Sequence, residues 1–127
     1  MKKKFIETAE APKAIGAYSQ GIIAGDFLFI SGQIPLDPKT MDIVSPDFDN
    51  QVEQVICNLR EIIEKNQQTL DHIVKITVYL KNLENFQSVN KTMEKHFNKP
   101  YPARAAVEVS RLPKDVQVEM DAIVYMG

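Results

Sequence analysis

This chain of 127 residues contains very little cysteine, and that scarcity limits the class of protein it can be. Cys57 is the single cysteine, so no internal disulfide can form and a disulfide-stapled secreted domain is excluded. Because Cys57 falls in a helical pattern, we interpret it as a packing thiol in preference to a nucleophile. A lone thiol fits a reducing compartment, and the sequence therefore predicts a cytoplasmic protein.

Long apolar runs are missing as well. No stretch approaches the roughly 20 apolar residues that a membrane-spanning helix requires. Lysines occupy positions 2–4, but residues 5–10 are too short and too charged to form the apolar core of a signal peptide. We expect no membrane partner.

The chain also lacks an excess of positive charge. Its formal net charge is −2, and beyond positions 2–4 lysine and arginine are dispersed, so no electrostatic footprint for nucleic acid is present. A small-molecule partner is favoured. His72 and His96 have no cysteine, aspartate or glutamate at ligand spacing. We expect a solvated His72, a His96 that compensates a helix dipole, and no metal.

Two further classes of site are absent. Gly16 and Gly21 do not open a helix after a strand, so they form no phosphate-binding or dinucleotide-binding loop. Ser19 and Ser31 have no histidine at a readable position to activate them, which argues against a serine hydrolase.

What is present indicates one globular domain spanning residues 1–127, because 44% hydrophobic and 25% charged residues are ordinary values for a soluble fold. An edge strand is predicted at 3–7, and a hairpin at 18–24 and 27–31 around Gly25 and Asp26. Three prolines mark 33–46 as a loop with a short strand near 42–44.

A helix follows this loop, with Ser45 as its N-cap and Pro46 at its first position. Its apolar stripe is Val52, Val55, Ile56, Leu59, Ile62 and Ile63.

The second half of the chain alternates strands with one helix. A strand at 73–80 places Val74, Ile76, Val78 and Leu80 on one face, and a helix at 83–97 is capped by Asn82. That helix has the stripe Phe86, Val89, Met93 and Phe97. Strands at 101–109 and 116–125 flank a turn at 112–115. We predict an α+β fold, a mainly antiparallel sheet with two helices on one face.

Arg104 is the most informative residue, because alternation places it beside small residues. A guanidinium flanked by alanines has open space above it, and its planar fork matches a carboxylate or phosphate. The alternative is an arginine paired with a carboxylate on a neighbouring strand. Periodicity alone leaves both interpretations open.

The last strand alternates cleanly, with Val116 and every second residue to Val124 on one face and Glu119 and Asp121 on the other. If this strand and the Arg104 strand form an antiparallel hairpin, Arg104 and Glu119 lie on neighbouring strands. The uncovered face bears Thr77, Tyr79 and Ile123, a poor surface for a monomer. We expect other subunits to cover it, with ligand sites in the clefts between them.

Four segments, in this order, resemble the signature blocks of the RidA family, formerly called YjgF, and the similarity covers essentially the whole chain. The blocks are Ile15-Gly16-Ala17-Tyr18-Ser19-Gln20, Ile30-Ser31-Gly32-Gln33-Ile34-Pro35, Tyr101-Pro102-Ala103-Arg104 and Val107-Glu108-Val109-Ser110-Arg111-Leu112-Pro113-Lys114.

The resemblance implies a chorismate-mutase-like fold of the bacillus type, assembled as a homotrimer with three sites in the clefts between subunits. It also implies an enamine/imine deaminase that needs no cofactor. The substrates implied are 2-iminobutanoate and 2-iminopropanoate, reactive intermediates that pyridoxal-phosphate enzymes such as threonine dehydratase release in isoleucine biosynthesis. The products are 2-oxo acids and ammonia.

The resemblance assigns a site as well, and matched by position its residues are Tyr18, Ser31, Gly32, Asn90, Arg104, Ala106 and Glu119. In this assignment Arg104 binds the substrate carboxylate and Glu119 positions water. For Glu119 the alternative is an ion pair on the strand face, with Arg104 or a lysine. For Tyr18, which would line the cleft, the alternative is ordinary interface packing.

Three positions depart from the family pattern. Ala106 stands where many members have cysteine, so a thiol cannot act there. Ala17 replaces a proline before Tyr18, and Met41 replaces a glycine, so that turn either strains Met41 or takes another shape. A different class of function also remains open, because relatives are described as ligand-sensing regulators of amino-acid metabolism, or as RNA-directed translation inhibitors and endoribonucleases.

Overall fold

A computed structural model describes residues 2–127 as one six-stranded sheet with two helices against one face. The strands and helices are β1 Lys4–Ile6, β2 Gly21–Ala24, β3 Phe27–Gln33, α1 Phe48–Lys65, β4 Ile73–Leu80, α2 Phe86–His96, β5 Ala103–Glu108 and β6 Val118–Tyr125. Short 3-10 turns occupy Leu70–His72, Leu83–Asn85 and Pro113–Asp115. The predicted fold class is confirmed.

The strand order across the sheet is β1-β2-β3-β6-β4-β5. Within residues 2–127 only β4 and β5 run parallel, and α2 provides the crossover that a parallel pair requires. Because β6 pairs with both β3 and β4, the predicted β5–β6 hairpin is wrong. The connection over 109–117 carries the chain past β4 instead, which leaves β5 at the edge of the sheet.

Helix α1 begins two residues later than the sequence predicts. Asp47 is its N-cap, and a carboxylate oxygen of Asp47 accepts a hydrogen bond from the Asn50 amide at 3.2 Å. The Ser45 hydroxyl instead accepts from the Asp47 amide at 3.0 Å, which closes a turn before the helix. Pro46 therefore lies outside the helix, and the predicted cap at Ser45 is corrected. The apolar stripe of α1 is fully buried as predicted.

Strand β4 has the predicted bounds, but a register shift between Ile73 and Lys75 reverses the orientation of its first residues. Ile73 is buried and Val74 is 43% exposed, so Val74 does not share the core face of Ile76. In β6 the predicted alternation is confirmed, with every second residue from Val118 to Val124 buried. The α2 stripe packs on the same core, although the helix proper starts at Phe86.

The sheet surface that the helices do not cover, called here the open face, exposes aromatic rings. Phe27, Phe29 and Tyr125 are 40%, 44% and 43% exposed, and the Phe27 ring centroid lies 5.4 Å from that of Tyr125. Such a patch marks an interaction surface. Among the helices of residues 2–127, none is long and apolar enough to cross a membrane.

Candidate functional site

Arg104 lies on the helix side of the sheet. Its Cα partner across β4–β5 is Ile76, which is fully buried beneath the helices. The side chain reaches α2, where Nη1 donates a hydrogen bond to Asn90 Oδ1 at 2.6 Å. The guanidinium carbon lies 4.7 Å from the centroid of the Phe86 ring, a cation–π distance. Two residues of α2 thus orient the guanidinium fork.

A pocket of about 290 Å³ opens beside this guanidinium. No carboxylate within residues 2–127 forms a salt bridge with Arg104, so the alternative of a strand-to-strand ion pair is not supported. Met93 lies on the same side, with its sulfur 3.6 Å from Arg104 Nη1. The pocket therefore combines an oriented cation with an apolar wall. Its lining residues are Asn90, Met93, Glu94, Tyr101, Pro102 and Arg104.

Glu119 lies on the open face, in the middle of the sheet, and is directly opposite Tyr79 of β4. Its carboxylate packs against Gly32, where a Cβ atom would collide with it. Burial, and then the charge of Asp121, raise the pKa of the Glu119 carboxyl above its usual range. The group therefore keeps its proton to a higher pH than a solvated glutamate.

Asp121 is itself engaged by a hydrogen bond, because the Tyr79 hydroxyl donates to its Oδ2 at 2.9 Å. This bond raises the pKa of the Tyr79 hydroxyl, since it favours the protonated phenol beside an anion. The hydrogen bond thus holds the Asp121 side chain on the same face of the sheet as Glu119. None of the hydrogen bonds within residues 2–127 involves the Glu119 carboxylate, so the predicted alternative of an ion pair on the strand face is not seen there.

Tyr18 and Ser31 lie where the loop at 7–20 meets β3. The Tyr18 ring is 51% exposed, and its hydroxyl accepts from the Ile15 amide at 3.4 Å. The Ser31 hydroxyl donates its hydrogen bond to the Ser19 carbonyl at 2.6 Å, so in this conformation it does not donate to a ligand. Tyr18 and Ser19 also line a groove of about 700 Å³ under the N-terminal loop. The cleft roles of Tyr18 and Ser31 stay predictions.

Apart from Tyr18 and Ser31, the site residues predicted from the sequence fall into two groups. The first contains Arg104 and Asn90, with Ala106 on the same face of β5 and packed against the core. The second contains Glu119 and Gly32 on the open face. Because the two groups lie on opposite faces of one sheet, a single chain does not bring Arg104 and Glu119 together.

Sequence reasoning missed the partners of both groups. It assigned Phe86 and Met93 to the core stripe of α2, and both also contact Arg104. It placed Tyr79 and Asp121 on the outer sheet face without pairing them. The alternation within β4 and within β6 indicates that both side chains lie on the outer face. Their contact depends on the register between the two strands, which the sequence of one strand does not predict.

The two histidines have structural partners. His96 Nε2 lies 2.6 Å from a carboxylate oxygen of Glu53, across the interface between α1 and α2. The exposed His72 accepts a hydrogen bond from the Thr69 amide through Nδ1 at 3.0 Å, which caps a 3-10 turn. Burial raises the pKa of the Cys57 thiol, which accords with a packing role. No cluster of three or more potential metal ligands occurs within residues 2–127.

Several known proteins resemble this chain along nearly its whole length. A RutC family protein of Pyrococcus abyssi is 50% identical, over 98% of each chain. The 2-iminobutanoate/2-iminopropanoate deaminase of Salmonella typhimurium is 46% identical, over 94% of this chain and 95% of its own.

Solved structures agree with these relatives. A Rid family protein of unknown function from Yersinia pestis superimposes with a TM-score of 0.95 at 42% identity, over 98% of this chain and 99% of its own. The TdcF protein of E. coli, solved with bound serine, gives a TM-score of 0.89 at 37% identity, over 98% and 99%. The family model described as Endoribonuclease L-PSP matches residues 8–126. The chain belongs to that family, known also as the RidA/YjgF/RutC family.

Proposed function

We propose that this protein hydrolyses small 2-imino acids, such as 2-iminobutanoate and 2-iminopropanoate, to 2-oxo acids and ammonia. The observation that carries the proposal is the guanidinium of Arg104, oriented by Asn90 and Phe86 at the wall of a small pocket. The 46% identity to a deaminase of that substrate class supports it. The serine bound to TdcF supports a ligand that carries a carboxylate.

The active cleft in this proposal lies between two copies of the chain. Arg104 is on the helix side of edge strand β5, and Glu119 is on the open face of central strand β6. One substrate can contact both only if the open face of one copy meets the β5 edge of another. The exposed rings of Phe27 and Phe29 support burial of that face. A closed homotrimer satisfies this head-to-tail contact with three equivalent clefts.

The chemistry follows from the two groups. Arg104 binds the substrate carboxylate through charge-assisted hydrogen bonds, which fixes the adjacent C=N carbon. Water adds to that carbon and gives a carbinolamine, and Glu119 takes the proton that the water loses. The imine nitrogen is protonated when water adds, and Glu119 then returns its proton to the resulting amine. The C–N bond breaks, and the carbinolamine hydroxyl passes its proton to the departing ammonia as the carbonyl forms, which releases ammonium and the 2-oxo acid. The raised pKa of the Glu119 carboxyl suits a group that both accepts and returns a proton.

The direct test measures ammonia and 2-oxobutanoate after the purified protein is added to 2-iminobutanoate generated in place by threonine dehydratase. Arg104→Lys retains a charge but loses the planar fork, so kcat/KM should fall by roughly 10-fold to 100-fold. Arg111→Lys is the matched control, because Arg111 is an exposed arginine outside the pocket. Equal turnover by Arg104→Lys and wild type would contradict the anchoring role.

The cleft between copies has its own test. Arg104→Ala and Glu119→Gln are each expected to be inactive alone. When the two variants are unfolded and refolded together, about one quarter of the clefts receive Arg104 from one chain and Glu119 from the other, and activity returns to that extent. If both residues served one cleft from a single chain, the mixture would stay inactive.

An RNA-directed activity is the second candidate, because the matching family model is described as an endoribonuclease. The net charge of −2 weighs against it. Incubation of the same preparation with single-stranded RNA separates the two functions. RNA cleavage by both wild type and Arg104→Ala, together with no deaminase activity in the wild type, would replace the proposal. A ligand sensor would bind 2-oxo acids but not turn over imines, and its affinity would survive Glu119→Gln.

A further inference from the structure

The pocket beside Arg104 contains one residue of each charge. Arg104 is its cation and Glu94 its anion, and the other lining residues are neutral. Glu94 follows Asn90 by four positions on α2, so the two side chains share one face of the helix. A carboxylate therefore stands one helical turn from the residue that orients the guanidinium.

The Glu94 carboxylate is not neutralised within residues 2–127. It is exposed, and none of the salt bridges or side-chain hydrogen bonds there includes it. Glu53 offers the contrast, because that carboxylate binds both Lys95 and His96. When a ligand carboxylate occupies Arg104, the remaining charge that the same chain places at the pocket is that of Glu94.

We propose that Glu94 is a specificity-determining residue that restricts this site to 2-imino and 2-oxo acids with a small, uncharged side chain. A ligand with a second carboxylate, such as the imine or 2-oxo acid derived from glutamate, would place that group beside Glu94 with no cation to receive it. Met93 and Pro102 provide an apolar wall for an alkyl group instead. The inference rests on the proposed function for its site and deepens it by naming the ligands that are rejected.

The test compares the binding of two stable 2-oxo acids, the proposed product 2-oxobutanoate and the dicarboxylate 2-oxoglutarate, by calorimetry with the intact protein. Wild type should prefer 2-oxobutanoate. Glu94→Gln should reduce that preference by about threefold to tenfold, and Glu94→Lys should reduce it further or reverse it. Added salt should weaken the wild-type preference, because the interaction is between partly solvated charges.

Glu64→Gln is the matched control, since it removes one exposed carboxylate from α1 and leaves the Arg104 pocket intact. Its ratio of affinities should equal that of wild type. An unchanged ratio in both Glu94 variants, in a protein that remains an active deaminase, would overturn this inference alone. A shifted ratio in a protein without deaminase activity would overturn the proposed reaction and leave the inference standing. Failure of 2-oxobutanoate to bind would overturn both.

Discussion

At the scale of single residues, Glu119 shows how a half-buried carboxyl beside a like charge can lower the stability of the fold. Its carboxyl is half-buried against Gly32, with Asp121 nearby as a like charge. Both surroundings disfavour the anion, so the pKa is higher in the folded chain than in the unfolded chain. The folded state then binds more protons, and the stability that Glu119 contributes is present at low pH and lost as pH rises through the folded pKa.

Glu119→Gln should therefore stabilise the protein at neutral pH. Glutamine retains the shape of the protonated acid but carries no charge, so Tm should rise by a few degrees at pH 7. Near pH 3.5, where glutamate is protonated in both states, the difference should vanish. Thermal unfolding at the two pH values measures it. A variant less stable than wild type at pH 7 would show that the anion is favoured in the fold.

Met41 is strained by its backbone. Its φ of +62° lies in the left-handed region, so the turn keeps the shape that suits glycine and strains the residue in its place, one of the two outcomes the sequence left open. Met41→Gly should raise the free energy of unfolding by about 0.5–1 kcal/mol, after the greater freedom of glycine in the unfolded chain offsets part of the relief. Urea denaturation measures the change.

Met41→Ala is the control for that substitution. Alanine removes the half-buried side chain but retains the Cβ atom that the left-handed backbone disfavours. It should therefore give no stabilisation. If alanine stabilised the protein as much as glycine, the methionine side chain would be the source of strain, and the backbone would not.

At the scale of elements, the N-terminal loop depends on one buried side chain. Gln20 is 3% exposed, and its Oε1 accepts from the Thr8 amide at 2.7 Å. Its Nε2 donates to the Pro12 carbonyl at 2.8 Å and also lies 3.0 Å from the Thr8 carbonyl. This amide thus ties the loop at 7–20, including Tyr18, to the start of β2.

Gln20→Ala should lower the free energy of unfolding by about 1–3 kcal/mol, because it leaves buried backbone groups without partners. The substitution should also speed exchange of the amide hydrogens of residues 8–11 while leaving the exchange rates in α1 unchanged, since the loss is local. Gln87→Ala, on the exposed side of α2, is the control and should change neither quantity appreciably. Uniform acceleration across the chain would argue against a local role.

Elements with a strong period were predictable from the sequence, and their ends and partners were not. The strict alternation of β6 gave the correct buried face, because a period of two needs no knowledge of neighbours. The predicted start of α1 was wrong because Ser45 and Asp47 are both favourable N-cap residues. The backbone of the preceding turn determines which of them caps the helix. The bulge at Val74 arises from the pairing of β4 with β6, so the sequence of β4 alone does not predict it.

At the scale of the whole molecule, the layer arrangement followed from the sequence but the strand order did not. Two amphipathic helices and a half-polar sheet allow few packings. The position of β6 between β3 and β4 results from pairings far apart in sequence, which a local pattern does not encode. This one error placed Arg104 and Glu119 on adjacent strands, whereas the structure separates them by β4 and by the thickness of the sheet.

Because of that separation, the proposed site forms only when copies of the chain assemble. Substitution of Phe29 is the means to prevent that assembly. Its ring is 44% exposed on the open face, beside Ile123 of β6. If other copies cover this face, Phe29→Glu places a charge in a desolvated interface, which is costly. Light scattering should then show particles of about 14.4 kDa, whereas a wild-type homotrimer should have three times that mass.

The same variant should lose deaminase activity while its circular dichroism stays native, because each chain keeps its own core and lacks only the partner's half of the cleft. Val44→Glu is the control, since Val44 is similarly exposed at 36% but lies beside α1, next to Glu53 and Cys57, away from both the open face and β5. It should leave both mass and turnover unchanged. A Phe29→Glu protein that was monomeric and fully active would contradict the proposal that the cleft lies between two copies of the chain.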